Sequence, residues 1–286
     1  MKTIKFFEIL ERLKDVDRWF LSLGIRSNTD RIHYAVEIVE KAYKGWKKFR
    51  ESNEPTKIGN VDEYYFGLVE ALEFTDIFRA FEKDDPKVIG PKLERALSGP
   101  LRPADETTKN TDGRNTMFEL AFAAQLRLAG AEVSVGEPDI AVTLSGKRFL
   151  IECKRPFRED SVKANVRGAA EQLKAYLEAD SEAAGIVAIS VARILNPGTK
   201  LFVAASESAK ERLGDRIELL MRETEKSWKK DEFHSRIATV LFHVSTPGVI
   251  EDRDLFTMMS YVVARPVGNE YKFEILRKAL PELVPN

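Results

Sequence analysis

Apolar side chains recur at three- and four-residue steps along the first third of the chain. Phe6, Ile9, Leu10, Leu13, Val16 and Phe20 make one such stripe, and Ile32, Ala35, Val36, Val39 and Tyr43 make another. That spacing predicts amphipathic helices. Asn60-Val-Asp-Glu63 resembles a capping box ahead of YYFGLVEALEF. Asp85-Pro86 offers an N-cap acid and a first-turn proline to a short helix ending near Leu97. Residues 1–98 are therefore expected to form an all-helical N-terminal domain. The stretch SGPLRPADETTKNTDG, Ser98 to Gly113, is polar, contains Gly and Pro, and has no period. It predicts a linker over 99–113.

From Arg114 the pattern changes. A helix over NTMFELAFAAQLRLAG stops at Gly130, and AEVSV, DIAVTL and KRFLIECK then read as strands. A helix from about Ser161 to Ala179 precedes an apolar strand, GIVAISVA, and a further helix runs roughly from Ser206 to Trp228. IATVLFHVS and TMMSYVVARP read as two more strands, with a weaker one at YKFEIL. The order α-β-β-β-α-β predicts an α/β layer fold with a mixed sheet over residues 114–286.

Composition narrows the class. Apolar residues make up 43% and charged residues 32% of the 286-residue chain, which describes a globular protein rather than a disordered one. A net charge of -1 argues against a protein that coats nucleic acid indiscriminately, so any basic surface must be local. One cysteine excludes an internal disulfide. Three scattered histidines, His33, His234 and His243, do not suggest zinc. No apolar run reaches the ~18–20 residues of a membrane span, and MKTIKFFEILERLKD reads as an amphipathic helix rather than a signal peptide. A cytoplasmic protein without membrane contact is the expectation.

Charge placement in the hairpin Gly136–Pro156 is harder to explain by stability alone. Side chains alternate along a strand, so Glu152 and Lys154 share one face while Phe149, Ile151 and Cys153 take the other. If Ser145-Gly146 is a two-residue loop, Leu144 pairs with Lys147 and Asp139 falls directly opposite Glu152. An odd loop or a bulge would break that register. Like charges roughly 5 Å apart are destabilising, and burial would raise at least one carboxylate pKa unless a cation compensates. Magnesium suits such a pair, because it takes few protein ligands and keeps several waters. Lys154 lies close enough to orient or deprotonate a water. Together these groups suit phosphodiester hydrolysis. A lone acid–x–lysine on an edge strand is ordinarily only a solvated face with a weak ion pair.

Pro138-Asp139, twelve residues, then Glu152-Cys153-Lys154 resembles the PD-(D/E)xK signature of restriction-endonuclease-like nucleases. The likeness covers roughly Arg114 to Ala192. It implies a restriction-endonuclease-like mixed sheet flanked by helices. It also implies a metal site of Asp139 and Glu152, joined by Glu119 from the preceding helix and the backbone carbonyl of Cys153. Mg2+ is the implied cofactor, with Mn2+ able to substitute. Gln172 and Tyr176 resemble the Q-x-x-x-Y element of the RecB-like branch and would organise substrate or the lysine strand. The resemblance implies DNA as the nucleic-acid partner; duplex DNA, single-stranded DNA and RNA all remain open from the residues. The helical region could form a homodimer or receive a protein partner. Arg155 and Arg158 are nearby candidates for phosphate contact, while Arg114 and Asn115 read as capping and solvent residues. Lys163, Arg167 and Lys174 read as a solvated stripe, and KAYKGWKKFR as an amphipathic surface. A catalytically inactive nucleic-acid-binding or assembly protein on the same fold is the alternative.

Overall fold

Ser145 and Gly146 both have positive φ, 49° and 72°. Two consecutive left-handed residues suit the primed two-residue hairpin turns, and here they join β2 (Ile140–Leu144) to β3 (Lys147–Lys154). Leu144 pairs with Lys147 and Ile140 with Ile151, the register expected from the turn. A computed structural model describes residues 6–25, 31–52, 61–197, 202–204, 209–229, 233–250, 255–267 and 270–283. The capping box at Asn60 lies outside these residues.

Four helices lead the chain: α1 (Phe6–Ser22), α2 (Arg31–Ser52), α3 (Val61–Phe81) and α4 (Pro86–Leu97). The start of α4 is as expected, with the Asp85 carboxylate accepting the Lys87 N–H at 2.9 Å and Pro86 at the first helical position. Helix α5 (Asp112–Leu128) then precedes β1 (Glu132–Val135), β2 and β3, an antiparallel meander. Helix α6 (Val162–Ala179) returns the chain to β4 (Ala184–Ser190), parallel to β3. All seven residues of β4 are buried, as a central parallel strand covered on both faces requires. A short helix, α7 (Ala192–Leu195), and a short strand, β5 (Phe202–Ala204), escape the sequence pattern. Helix α8 (Ala209–Trp228), β6 (Ile237–Ile250), β7 (Leu255–Pro266) and α9 (Glu270–Leu283) complete the order.

The sheet is mixed and open. Strand β6 runs parallel to β4 over Ile237–His243 and parallel to β5 over Gly248–Ile250, with β7 antiparallel along its other edge. It is longer than the sequence pattern predicts because it continues through Pro247. That proline lies between the segments paired with β4 and β5, where the edge asks for no ladder N–H. YKFEIL belongs to α9, not to a strand. Its apolar residues at Phe273, Ile275 and Leu276 suit a helix lying on the core, and Leu276 is buried there.

Two apolar layers sandwich the sheet. Ile140, Val142, Phe149, Ile151 and Cys153 face a cluster that also takes Leu13, Phe20, Phe74, Phe81, Leu93 and Phe122, so α1–α5 and one face of the sheet share it. On the other face Leu150, Val187 and Ile189 meet Val162, Val166, Ala169, Leu173 and Leu177, the stripe of α6 predicted by its period, together with α8. The polar segment after α4 is held close to the helices. A Cβ at Gly113 would run into the Ser98 carbonyl, so only glycine lets α5 begin there. No helix among the described residues is long and apolar enough to cross a membrane.

Candidate active site

Alternation along β3 turns Glu152 and Lys154 towards the α6 side, away from Cys153. Asp139 immediately precedes β2, and the ladder continues it opposite Glu152. Its carboxylate Oδ2 accepts the Cys153 N–H at 2.9 Å, which ties the mouth of β2 to the end of β3. Glu152 is buried, with only 3% of its surface exposed, while Lys154 remains partly open. Lys154 Nζ stands 3.5 Å from Glu152 Oε2. The expected trio is therefore assembled on one face at the end of the hairpin.

The electrostatics match that geometry. Burial pushes the Glu152 carboxyl up, and Asp139, within hydrogen-bonding reach, pushes it further. Lys154 opposes the shift without cancelling it. A second cation in this place would relieve the repulsion, so the donor chemistry fits a divalent ion held by two carboxylates with water filling the rest of its shell. Asp139 and Glu152 are the residues that could hold it. No group of three or more His, Cys, Asp or Glu among the described residues could hold a metal ion.

The supporting residues divide. Glu119 projects from α5, which packs against the opposite face of the sheet. Its carboxyl is raised first by burial and next by Asp139, so it belongs to the same electrostatic neighbourhood. Its direct partner is Lys92 of α4, at 3.1 Å. Sequence reasoning missed Lys92, because nothing local marks one lysine on an amphipathic helix as different from its neighbours. Tyr176 is half-buried on α6. Its phenol is pushed up by burial first, then by the charges of Glu137, Glu152 and Asp139. Gln172, one turn earlier, is exposed. Cys153 turns its thiol into the first core, where burial raises the pKa.

Arg155 is not available to a phosphate as the sequence suggested. Both of its terminal nitrogens pair with the Glu106 carboxylate, one at 2.8 Å, and neither side chain is appreciably exposed. Arg158 stays exposed beside Asp160. Arg114 is buried rather than solvated and donates to the carbonyls of Pro100 and Leu101. Arg167 and Lys174 are exposed, in keeping with a solvated face, and Lys163 is half-buried.

Comparison with protein-family models, curated proteins and solved structures finds no match.

Proposed function

We propose that this chain is a metal-dependent nuclease of the PD-(D/E)xK, restriction-endonuclease-like type, hydrolysing phosphodiester bonds in nucleic acid, with DNA the substrate implied by the resemblance. One observation carries the reading: Asp139 lies in register against buried Glu152, with Lys154 on the same face. The order α5-β1-β2-β3-α6-β4, with β3 and β4 parallel, supports a restriction-endonuclease-like core. Two carboxylates forced together in a partly dry place lower stability unless a cation joins them. A binding module has no use for that arrangement.

Magnesium, or manganese in its place, would supply positive charge against the phosphoryl oxygens in the transition state. Asp139 and Glu152 would hold it, and the Cys153 N–H fixes the rotamer of Asp139 for that task. Lys154 would orient the attacking water or take up its proton, and its ammonium would stabilise charge developing on the phosphate. Tyr176, whose phenol feels the charge of Glu152 and Asp139, would contact substrate beside the acids. Glu119 would add negative charge for the cation from α5, at the cost of further repulsion with Asp139.

The test is an incubation of wild type, Asp139→Ala and Lys154→Ala with labelled duplex DNA, single-stranded DNA and RNA. Each substrate is paired with magnesium, manganese or chelator. Metal-dependent cleavage should fall by at least about a hundredfold in both variants. Cleavage at the wild-type rate in either folded variant would sink the assignment.

A further inference from the structure

On the opposite side of the β3 end from Lys154 lies a cavity of about 100 Å3. It opens between α3, the first turns of α5 and the carboxyl ends of β3 and β4, with β6 as its floor. Ligands of open α/β sheets favour the carboxyl ends of parallel strands. Arg31, Arg114, Arg155 and Arg193 all reach its wall. Their counter-charges are shared. Glu70 serves Arg31 and, at 3.5 Å, Arg114. Glu106 holds Arg155 with both oxygens and lies 3.8 Å from Arg193. Arg114 and Arg193 otherwise donate to main-chain carbonyls, which carry no full charge.

Among the described residues two carboxylates thus face four guanidiniums, and Glu73 is a further acid on the wall. Burial pushes its pKa up to about 7, against the pull of Arg31 and Arg114. Around neutral pH it balances only part of the excess. Two buried polar atoms of wall residues also have no hydrogen-bond partner among the described residues: His243 Nδ1 and Ser245 Oγ. His243 is 3% exposed, packs against both Phe118 and Phe122 at ring-centroid distances of 5.5 Å, and places its other nitrogen 3.3 Å from Ser260 Oγ. Excess buried positive charge and unmet hydrogen bonds in the lining of one cavity call for the same occupant.

We propose that this cavity binds a phosphate-sized oxyanion, placed against the Arg114 and Arg193 side and hydrogen-bonded by His243 and Ser245. The volume admits one tetrahedral anion with its water and is small for a drug-sized ligand. Free inorganic phosphate and the terminal phosphate of a nucleotide present the same group. The site is separate from the paired acids and does not depend on the nuclease reading.

Calorimetric titration of the full chain with inorganic phosphate tests it, with chloride at matched ionic strength as control and adenosine monophosphate as a second arm. Saturable binding is expected for phosphate. Similar affinity for the nucleotide assigns the site to the phosphate alone, and tighter binding assigns it to a phosphate carried on a larger ligand. The double variant His243→Phe/Ser245→Ala keeps the ring stack and should bind at least about tenfold more weakly, the loss expected for hydrogen bonds to a charged group. Glu73→Gln, which removes the competing acid without emptying space, should bind more tightly at pH 8. Lys154→Ala should bind like wild type. Absence of saturable phosphate binding overturns the proposal, as does unchanged affinity in both cavity variants.

Discussion

Glu152 is placed against the interest of the fold. Desolvation and the facing Asp139 carboxylate hold its pKa above the ordinary value of 4.5. Between pH 4.5 and that raised value, the native state binds more protons than the unfolded chain. Stability therefore falls as pH rises through the window. Glu152→Gln removes the contribution. Metal-free variant and wild type should melt at similar temperatures near pH 4, and the variant should melt higher at pH 8. Magnesium should raise the wild-type melting temperature at pH 8 and leave the variant's nearly unchanged. Melting curves at the two pH values, with and without the metal, check both statements. A Glu152 that merely completes an ion pair with Lys154 would give the opposite sign, since its removal would then lower the melting temperature at pH 8.

The hairpin is the element that converts spacing into the geometry of the paired acids. A shift of one residue would send Glu152 and Lys154 into the α5 side and bring Cys153 to face Asp139's neighbours. The turn maintains the register, although Ser145 adopts a positive φ that a serine tolerates less well than asparagine or glycine. Ser145→Asn should accordingly stabilise the protein by about 0.5–1 kcal/mol without changing the pairing, readable as a shift in the denaturant midpoint at constant slope. A changed slope, or lost stability, would mean that the turn is not the primed type. Helix α9 teaches the converse lesson about elements. Aromatic and β-branched residues in YKFEIL suggest a strand by propensity, yet that segment packs Leu276 onto the core as a helix.

At the scale of the molecule, a polar segment with no period of its own holds the helical part to the sheet. The Glu106 side chain is fully buried between Arg155, which follows β3, and Arg193 of α7. Arg114 meanwhile clasps Pro100 and Leu101. Glu106→Gln leaves two buried guanidiniums short of a counter-charge and should cost about 3–5 kcal/mol. Adding Arg155→Met should recover part of that loss, because it removes one of the stranded charges. Urea unfolding of both variants measures the coupling, and additive losses would show that the three groups do not act as a unit. Lys92 makes a second crossing, from α4 to Glu119. The helical region thereby reaches the neighbourhood of the paired acids directly.

Local rules were enough for much of this protein. Period alone marks the α6 stripe of Val162, Val166, Ala169, Leu173 and Leu177, and the Ser145-Gly146 turn with strict alternation is enough to put Asp139 across from Glu152. Those features depend on neighbours a few residues apart, or on a short loop whose geometry has few solutions. Pairings across long separations had no such signal. Lys92 with Glu119, Glu106 with Arg155 and Arg193, and Glu70 with Arg31 and Arg114 join residues that lie 27 to 87 positions apart. A charged side chain reads as a solvated one until the fold removes its water. Only the tertiary structure decided which arginines were buried, which acids met them, and where their charges failed to balance.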